Sequence, residues 1–264
     1  MKVLSGKEIR PLLKEEIINK LQEKKISFLL YLDKENEDCN AYLKSIEKLL
    51  SSFSIEYRVS YYDKNKNEEE NLLEFKNEIK DSSVLILRPL GVKNEKSFID
   101  SIPSSKDPDM LTDINRGILF SGNLNYLPAT AKSVEQIVKH YHVETKGKKV
   151  LVVGRSLSVG LAMFELFQVL DATVTLAHSK TSEEDLKLYA KQADIIVLAS
   201  GRKNLIKREW LSKKTTIIDC GYSYNSGDLG FVPEEDELVA YTPVPGGVGS
   251  LTSYCLLLNA LNIK

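Results

Sequence analysis

Cysteine is scarce in this chain of 264 residues: three, at positions 39, 220 and 255, widely spaced and without a CxxC pair. An odd number without that spacing excludes a disulfide framework and a structural zinc site, and predicts a reducing, cytoplasmic setting. Long apolar runs are missing too. No stretch approaches 18 consecutive apolar residues, and the N-terminal MKVLSGKEIRPLLKEEIINK has no uninterrupted apolar core, so neither a membrane span nor a signal peptide is predicted. No sign of charge dominates: 36 basic against 37 acidic side chains give a formal net charge of −1. A surface so balanced has no long-range field to draw it to nucleic acid or an anionic membrane. With only 14 glycines and 8 prolines, 42% apolar and 28% charged residues, the composition excludes collagenous and disordered classes. At about 150 residues per domain the length predicts two domains.

What the chain does contain is an alternation of two periods. Ile9, Leu12, Leu13, Ile17 and Leu21 form an i, i+3, i+4 stripe that predicts an amphipathic helix over 7–24. Strands are predicted at 26–32, 55–62 and 83–90, with helices at 40–53 and 68–79 between them. After a Pro-, Gly- and Asn-rich stretch at 91–130 the alternation resumes. Strands are predicted at 148–154, 172–178, 194–200 and 215–221, with helices at 159–170, 182–191 and 250–261. Strands separated by helices of this length make βαβ crossovers and parallel sheets, so the fold class is α/β. The stretch 91–130 is predicted to be a functional or interdomain loop.

The sharpest local signal is VLVVGRSLSVG at 150–160, an apolar strand running into a turn with Gly154, Ser156 and Gly160 and then a helix. Such a turn gathers unpaired backbone N–H groups at the positive end of a helix, which suits a nucleotide phosphate. It departs from G-x-G-x-x-G, because Ser156 takes the second glycine's place and the last glycine comes one residue late. The next strand ends in His178-Ser179-Lys180-Thr181, with no carboxylate before Glu183. In an NAD-preferring site a carboxylate there accepts from the ribose 2′-hydroxyl. Its absence, with Arg155, Ser179 and Lys180 converging, predicts NADP. The predicted cofactor site is Gly154, Arg155, Ser156, Val159, Ser179 and Lys180. No metal site is predicted.

These residues, with TPVPGGVGSLT at 242–252, KDPDMLTDINRGILFSG at 106–122 and LPATAKSV at 127–134, resemble the bifunctional methylenetetrahydrofolate dehydrogenase/methenyltetrahydrofolate cyclohydrolase family. That family carries G-R-S-x-x-V-G, H-S-x-T, K-D-V-D-G-x-x-x-x-N and T-P-V-P-G-G-V-G-P-M-T, and the likeness runs along essentially the whole chain. The resemblance implies two domains around a cleft, the C-terminal one a Rossmann-like doubly wound parallel sheet. It places a folate-binding catalytic domain at 1–126 plus 247–264 and an NADP-binding domain at 127–246. The implied activity is NADP-dependent oxidation of 5,10-methylenetetrahydrofolate in one-carbon metabolism. A homodimer is implied as well, with a tetrahydrofolate derivative as small-molecule partner. Tyr42, Asp109, Pro245, Gly246 and Gly247 are the substrate-binding residues it points to, Tyr42 and Asp109 being also its catalytic positions here. Glycines at 246, 247 and 249 are expected where backbone must approach a ligand closely.

One part of the family pattern has gone. Its Y-x-x-x-K helix places a lysine that serves the cyclohydrolase step as acid/base, and a glutamine in Q-L-P-L positions it. Matched without gaps, the lysine's place is Ile46 and the glutamine's is Leu87, in Leu87-Arg88-Pro89-Leu90. On a helix Ile46 lies about 40° from Tyr42, whereas Lys44 and Lys48 point away. Arg88 falls on the opposite side of its strand and stays protonated, a poor base. Hydride transfer needs chiefly positioning, whereas hydrolysis needs water deprotonated, worth about 10²- to 10⁴-fold. Oxidation without vigorous cyclohydrolase activity is therefore the expectation. The alternatives are a non-catalytic or regulatory protein that binds folate and NADP, and an NADP oxidoreductase acting on another small substrate.

Overall fold

The structure, a computed structural model, describes residues 1–221, 226–235 and 237–263. Its backbone contacts divide the chain into two compact units, one of Met1–Leu13 with Leu119–Cys255, the other of Lys14–Ile118 with Leu256–Lys264.

The chain opens with a two-residue strand β1 (Lys2–Val3) and helix α1 (Gly6–Glu23). Then β2 (Ser27–Asp33), α2 (Glu37–Ser52), β3 (Glu56–Tyr62), α3 (Glu68–Ile79) and β4 (Ser83–Leu87) follow as the sequence predicts. The helix starts are written locally. Asn36 accepts from the Cys39 N–H at 3.0 Å to open α2, and Asn67 with Glu70 forms a reciprocal capping box at α3. The three strands pair in parallel in the order β3-β2-β4. Central β2 is buried along almost its whole length, while β3 alternates as a half-exposed strand. Tyr31, Phe75 and Phe98 pack together in this unit's core, with ring centroids 4.6 to 5.9 Å apart.

The stretch 91–130 is less irregular than its composition predicts. It holds α4 (Glu95–Asp100) and α5 (Asp113–Leu119), one or two turns each, too short for a helical period to register. A full helix unforeseen in the sequence reading, α6 (Ala129–Tyr141), follows. Pro128, read as a loop marker, stands at its N-terminal cap, a position proline tolerates because no intrahelical N–H is needed there. Its buried face is Ala131, Val134, Ile137 and Val138.

From there β5 (Lys149–Val153), α7 (Gly160–Val169), β6 (Thr173–Ala177), α8 (Glu183–Gln192), β7 (Ile195–Leu198) and β8 (Thr216–Asp219) match the expected alternation. A two-residue strand β9 (Ala240–Tyr241) and the last helix α9 (Thr252–Asn262) complete the chain. The larger sheet is parallel throughout, ordered β1-β9-β8-β7-β5-β6. Its order reverses between β5 and β7, the switch point of a doubly wound sheet, where ligands collect at the carboxyl ends of strands. Two-residue β1 and β9 carry no period a sequence could show. Pairing of β1 with β9 is what places the first residues of the chain in this unit.

Candidate active site

At the carboxyl ends of β5, β6 and β7 lies a cavity of about 410 Å³. Gly154, Arg155 and Ser156 from the turn after β5 line it, with His178, Ser179 and Thr181 from the end of β6. Gly154 has φ +128°, and a Cβ there would lie 2.2 Å from the Ala199 carbonyl oxygen. A Cβ on Gly160 would come within 2.1 Å of the Gly154 carbonyl oxygen. Both glycines are therefore demanded by protein packing: one lets the turn pass beside the end of β7, the other seats α7 on the turn. Ser156 Oγ accepts from the Gly160 N–H at 3.4 Å.

Of the predicted cofactor residues, Gly154, Arg155, Ser156 and Ser179 line the cavity. Val159 caps α7, and Lys180 is exposed beside the wall without lining it. The H-S-x-T segment closes on itself: the His178 N–H donates to Thr181 Oγ1 at 2.9 Å, and the Thr181 N–H to the His178 carbonyl at 2.8 Å. That turn presents the Ser179 side chain to the cavity. The wall's carboxylate, Glu183, is ion-paired with Lys207, whose ammonium also sits 5.1 Å from the Trp210 ring centroid. The hydrogen bond from Lys207 holds the Glu183 carboxyl below the usual carboxylate range. Among the described residues the Arg155 guanidinium has neither an ion-pair nor a hydrogen-bond partner.

Two buried aspartates brace the far wall. Asp228 accepts from the Ser200 N–H, the Ser200 hydroxyl and the Gly201 N–H at 2.8 to 2.9 Å. Asp219 accepts from the N–H groups of Gly221, Asp228 and Leu229 at 2.8 to 3.0 Å. Sequence reasoning missed this wall, including Arg202, Asn204 and Lys207. The signal was β7: its carboxyl end at Ala199-Ser200 lies at the switch point beside the end of β5.

In the other unit, Tyr42 on α2 is 39% exposed, while Ile46 and Leu87 are each 1% exposed. Ile46 belongs to the buried stripe Cys39, Leu43, Ile46 and Leu50 of α2, with Lys44 and Lys48 on the exposed side. Leu87 ends β4, paired with Leu32, and its carbonyl accepts from the Cys39 thiol at 3.4 Å. Arg88 is exposed and faces Glu95 at 3.9 Å.

Asp109 is half-buried in a loop held by its neighbours. The Asp107 carboxylate accepts from the Thr112 N–H at 2.8 Å and Asn115 Nδ2 at 3.0 Å, and Asn259 Nδ2 donates to the Pro108 carbonyl at 3.0 Å. Burial pushes the Asp107 carboxyl above its usual range, against the hydrogen bonds from Thr112 and Asn115. Met110, where the family pattern has glycine, takes φ +56°.

The turn carrying Pro245, Gly246 and Gly247 is tied to the start of α1: the Gly6 N–H donates to the Gly246 carbonyl at 2.9 Å. A Cβ on Gly247 would sit 2.6 Å from the Pro243 carbonyl oxygen, and one on Gly249 would touch nothing within 4 Å. The glycine at 247 thus answers to the turn's own backbone. Ser250, in place of the family's proline, donates from Oγ to the Gly247 carbonyl at 2.7 Å and the Gly246 carbonyl at 3.3 Å.

Comparison with known proteins places these features. The model of the tetrahydrofolate dehydrogenase/cyclohydrolase NAD(P)-binding domain matches residues 128–264. The bifunctional protein FolD of Caldanaerobacter subterraneus subsp. tengcongensis is 33% identical, with 98% of this chain and 95% of that protein covered. Among solved structures, the bifunctional FolD methylenetetrahydrofolate dehydrogenase/cyclohydrolase of Campylobacter jejuni superposes with a TM-score of 0.91 at 30% identity, covering 99% of this chain and 97% of that one. The Trypanosoma brucei methylenetetrahydrofolate dehydrogenase-cyclohydrolase, complexed with NADP and inhibitor, gives 0.88 at 26%, covering 99% and 96%.

Proposed function

This chain belongs to the tetrahydrofolate dehydrogenase/cyclohydrolase family, and from that footing we propose that it oxidises 5,10-methylenetetrahydrofolate to the 5,10-methenyl form with NADP as acceptor. One observation carries the cofactor choice: an unpaired Arg155 guanidinium and the Ser179 hydroxyl meet at the strand-end cavity, whose carboxylate is already taken by Lys207. The donor set fits an anionic nucleotide, because a cavity of unpaired cations and hydroxyls at a helix N-terminus is completed by phosphate oxygens. Gly154, Arg155, Ser156 and Ser179 would hold it, with Val159 shaping the start of α7. NADP supplies the hydride acceptor when bound.

What the protein contributes to oxidation is orientation, since the substrate nitrogen lone pair expels the hydride without help from a protein base. Tyr42, Asp109 and the Pro245-Gly246-Gly247 turn are our candidates for holding the folate, in a functional division of 1–126 plus 247–264 for folate and 127–246 for NADP. Hydrolysis of the methenyl cation asks for a base, and the two positions assigned to it by resemblance are Ile46 and Leu87. We therefore read the cyclohydrolase half of the family's chemistry as lost or feeble. A homodimer is part of the proposal on family grounds alone, and light scattering showing one species at 29.7 kDa would remove it. A cytoplasmic location rests on three free cysteines.

The deciding experiment follows absorbance of the reduced cofactor with NADP and methylenetetrahydrofolate. Steady formation of reduced NADP is expected. NADP binding without turnover would favour a non-catalytic folate- and NADP-binding protein instead.

A further inference from the structure

The cavity that Arg155 lines carries a second arginine. Arg202 follows β7 in a turn whose shape is set by Asp228, which accepts from the Ser200 and Gly201 N–H groups at 2.8 Å each. The Arg202 N–H in turn donates to Ser200 Oγ at 3.1 Å, and the Asn204 N–H to the Asp228 carbonyl at 3.0 Å. The backbone under Arg202 is thus anchored by a buried carboxylate, while its side chain reaches the same 410 Å³ space that Arg155 lines from the β5 turn. Among the described residues neither guanidinium has an ion-pair or hydrogen-bond partner. Arg88, Arg116 and Arg208, by contrast, each face a carboxylate. Lys207 and Glu183 on the wall neutralise each other. What remains is two permanently charged, planar donors lining one cavity, a pair of like charges that an anion bound there would offset.

We propose that Arg202 is the second guanidinium of the subsite for the 2′-phosphate of NADP, and that Arg202 with Arg155, rather than Lys180, sets the preference for NADP over NAD. The inference rests on the NADP reading above and deepens it. Its chemistry is that of a phosphate monoester dianion: each guanidinium offers a fork of N–H donors to phosphate oxygens, and two forks balance a charge close to −2. Lys180 is a point charge on an exposed stem outside the wall. Arg202 could alternatively meet the pyrophosphate, which NAD and NADP share, and the two sources separate cleanly in binding data.

The test is calorimetric titration of the full-length wild type, Arg202→Ala, Arg202→Lys, Arg155→Ala and Lys180→Ala with NADP, NAD, 2′-AMP and 5′-AMP. Arg202→Ala is expected to weaken NADP and 2′-AMP by about tenfold or more while leaving NAD and 5′-AMP within about twofold. Arg202→Lys should recover part of the loss, because the charge returns without the fork. Equal losses for NADP and NAD would assign Arg202 to the pyrophosphate and overturn the proposal. So would no loss, or a larger loss of selectivity in Lys180→Ala than in Arg202→Ala. A wild type that binds NAD as tightly as NADP overturns the NADP reading itself, and that outcome is visible before any variant is made. Arg202 is exposed, and an unchanged melting temperature would show that Arg202→Ala is folded.

Discussion

The Cys39 thiol donates to the Leu87 carbonyl at 3.4 Å, so α2 is fastened to the end of β4 by a neutral sulfur group. Burial pushes the Cys39 thiol up, helped by Asp33, Asp38 and Glu95, which keeps it protonated and able to donate. Ile46 comes two helical turns after Cys39, in the same buried stripe, and one turn after the exposed Tyr42. The region that in the family pattern would hold a lysine and a glutamine is here closed by aliphatic side chains and one thiol.

The first prediction follows from that closure. Ile46→Lys alone should not create a cyclohydrolase and should destabilise the protein by several kcal/mol, since an ammonium replaces a side chain 1% exposed with no charged partner. Ile46→Lys with Leu87→Gln should recover part of the stability and raise methenyltetrahydrofolate hydrolysis above the spontaneous rate. The double-mutant cycle, in melting temperature and hydrolysis rate, should show positive coupling. Vigorous hydrolysis by the unmodified protein would sink the idea.

Arg155→Ala should weaken NADP binding by about tenfold or more and bring NADP and NAD affinities closer together. Raising the salt concentration should erode wild-type NADP affinity more than that of the variant, because the removed contact is exposed and screened. Unchanged NADP affinity in calorimetry would show that the 2′-phosphate lies elsewhere.

Asp107 should titrate above its ordinary value of 3.8, since burial raises it more than its hydrogen bonds lower it. The fold favours the protonated acid, so this group's contribution to stability is full below about pH 3.8 and is lost as pH rises through the folded value. A carboxyl ¹³C titration by NMR measures the midpoint, and one at or below 3.8 contradicts the expectation.

Met110 weighs backbone against burial. Its φ of +56° costs a non-glycine residue about 1–2 kcal/mol, yet the side chain is 2% exposed and its removal from a core costs about 2–5 kcal/mol. Met110→Gly should therefore lower stability by about 1–3 kcal/mol despite relaxing the turn. Denaturant melts decide it; a stabilised variant would mean that the strain is larger than burial.

The alternation of strands and helices is legible along the chain, because each period is a local property: the Ile9 to Leu21 stripe, the apolar run of β2, and the Asn36 and Asn67 caps all act within a few residues of themselves. The Gly154-Arg155-Ser156 turn is legible in the same way, since strand, turn and helix are consecutive. What shares a cavity with that turn depends on how the strands are ordered in the sheet. Arg202 stands 47 positions beyond Arg155, brought to the same cavity because β7 lies beside β5 in the sheet, and no local pattern marks that adjacency. The same holds for β1 and β9, two residues each, which exist only because parallel pairing across more than two hundred positions supplies their hydrogen bonds. Helix α6 went unforeseen, because whether Pro128 ends a loop or begins a helix depended on the burial that rewards Val134 and Ile137.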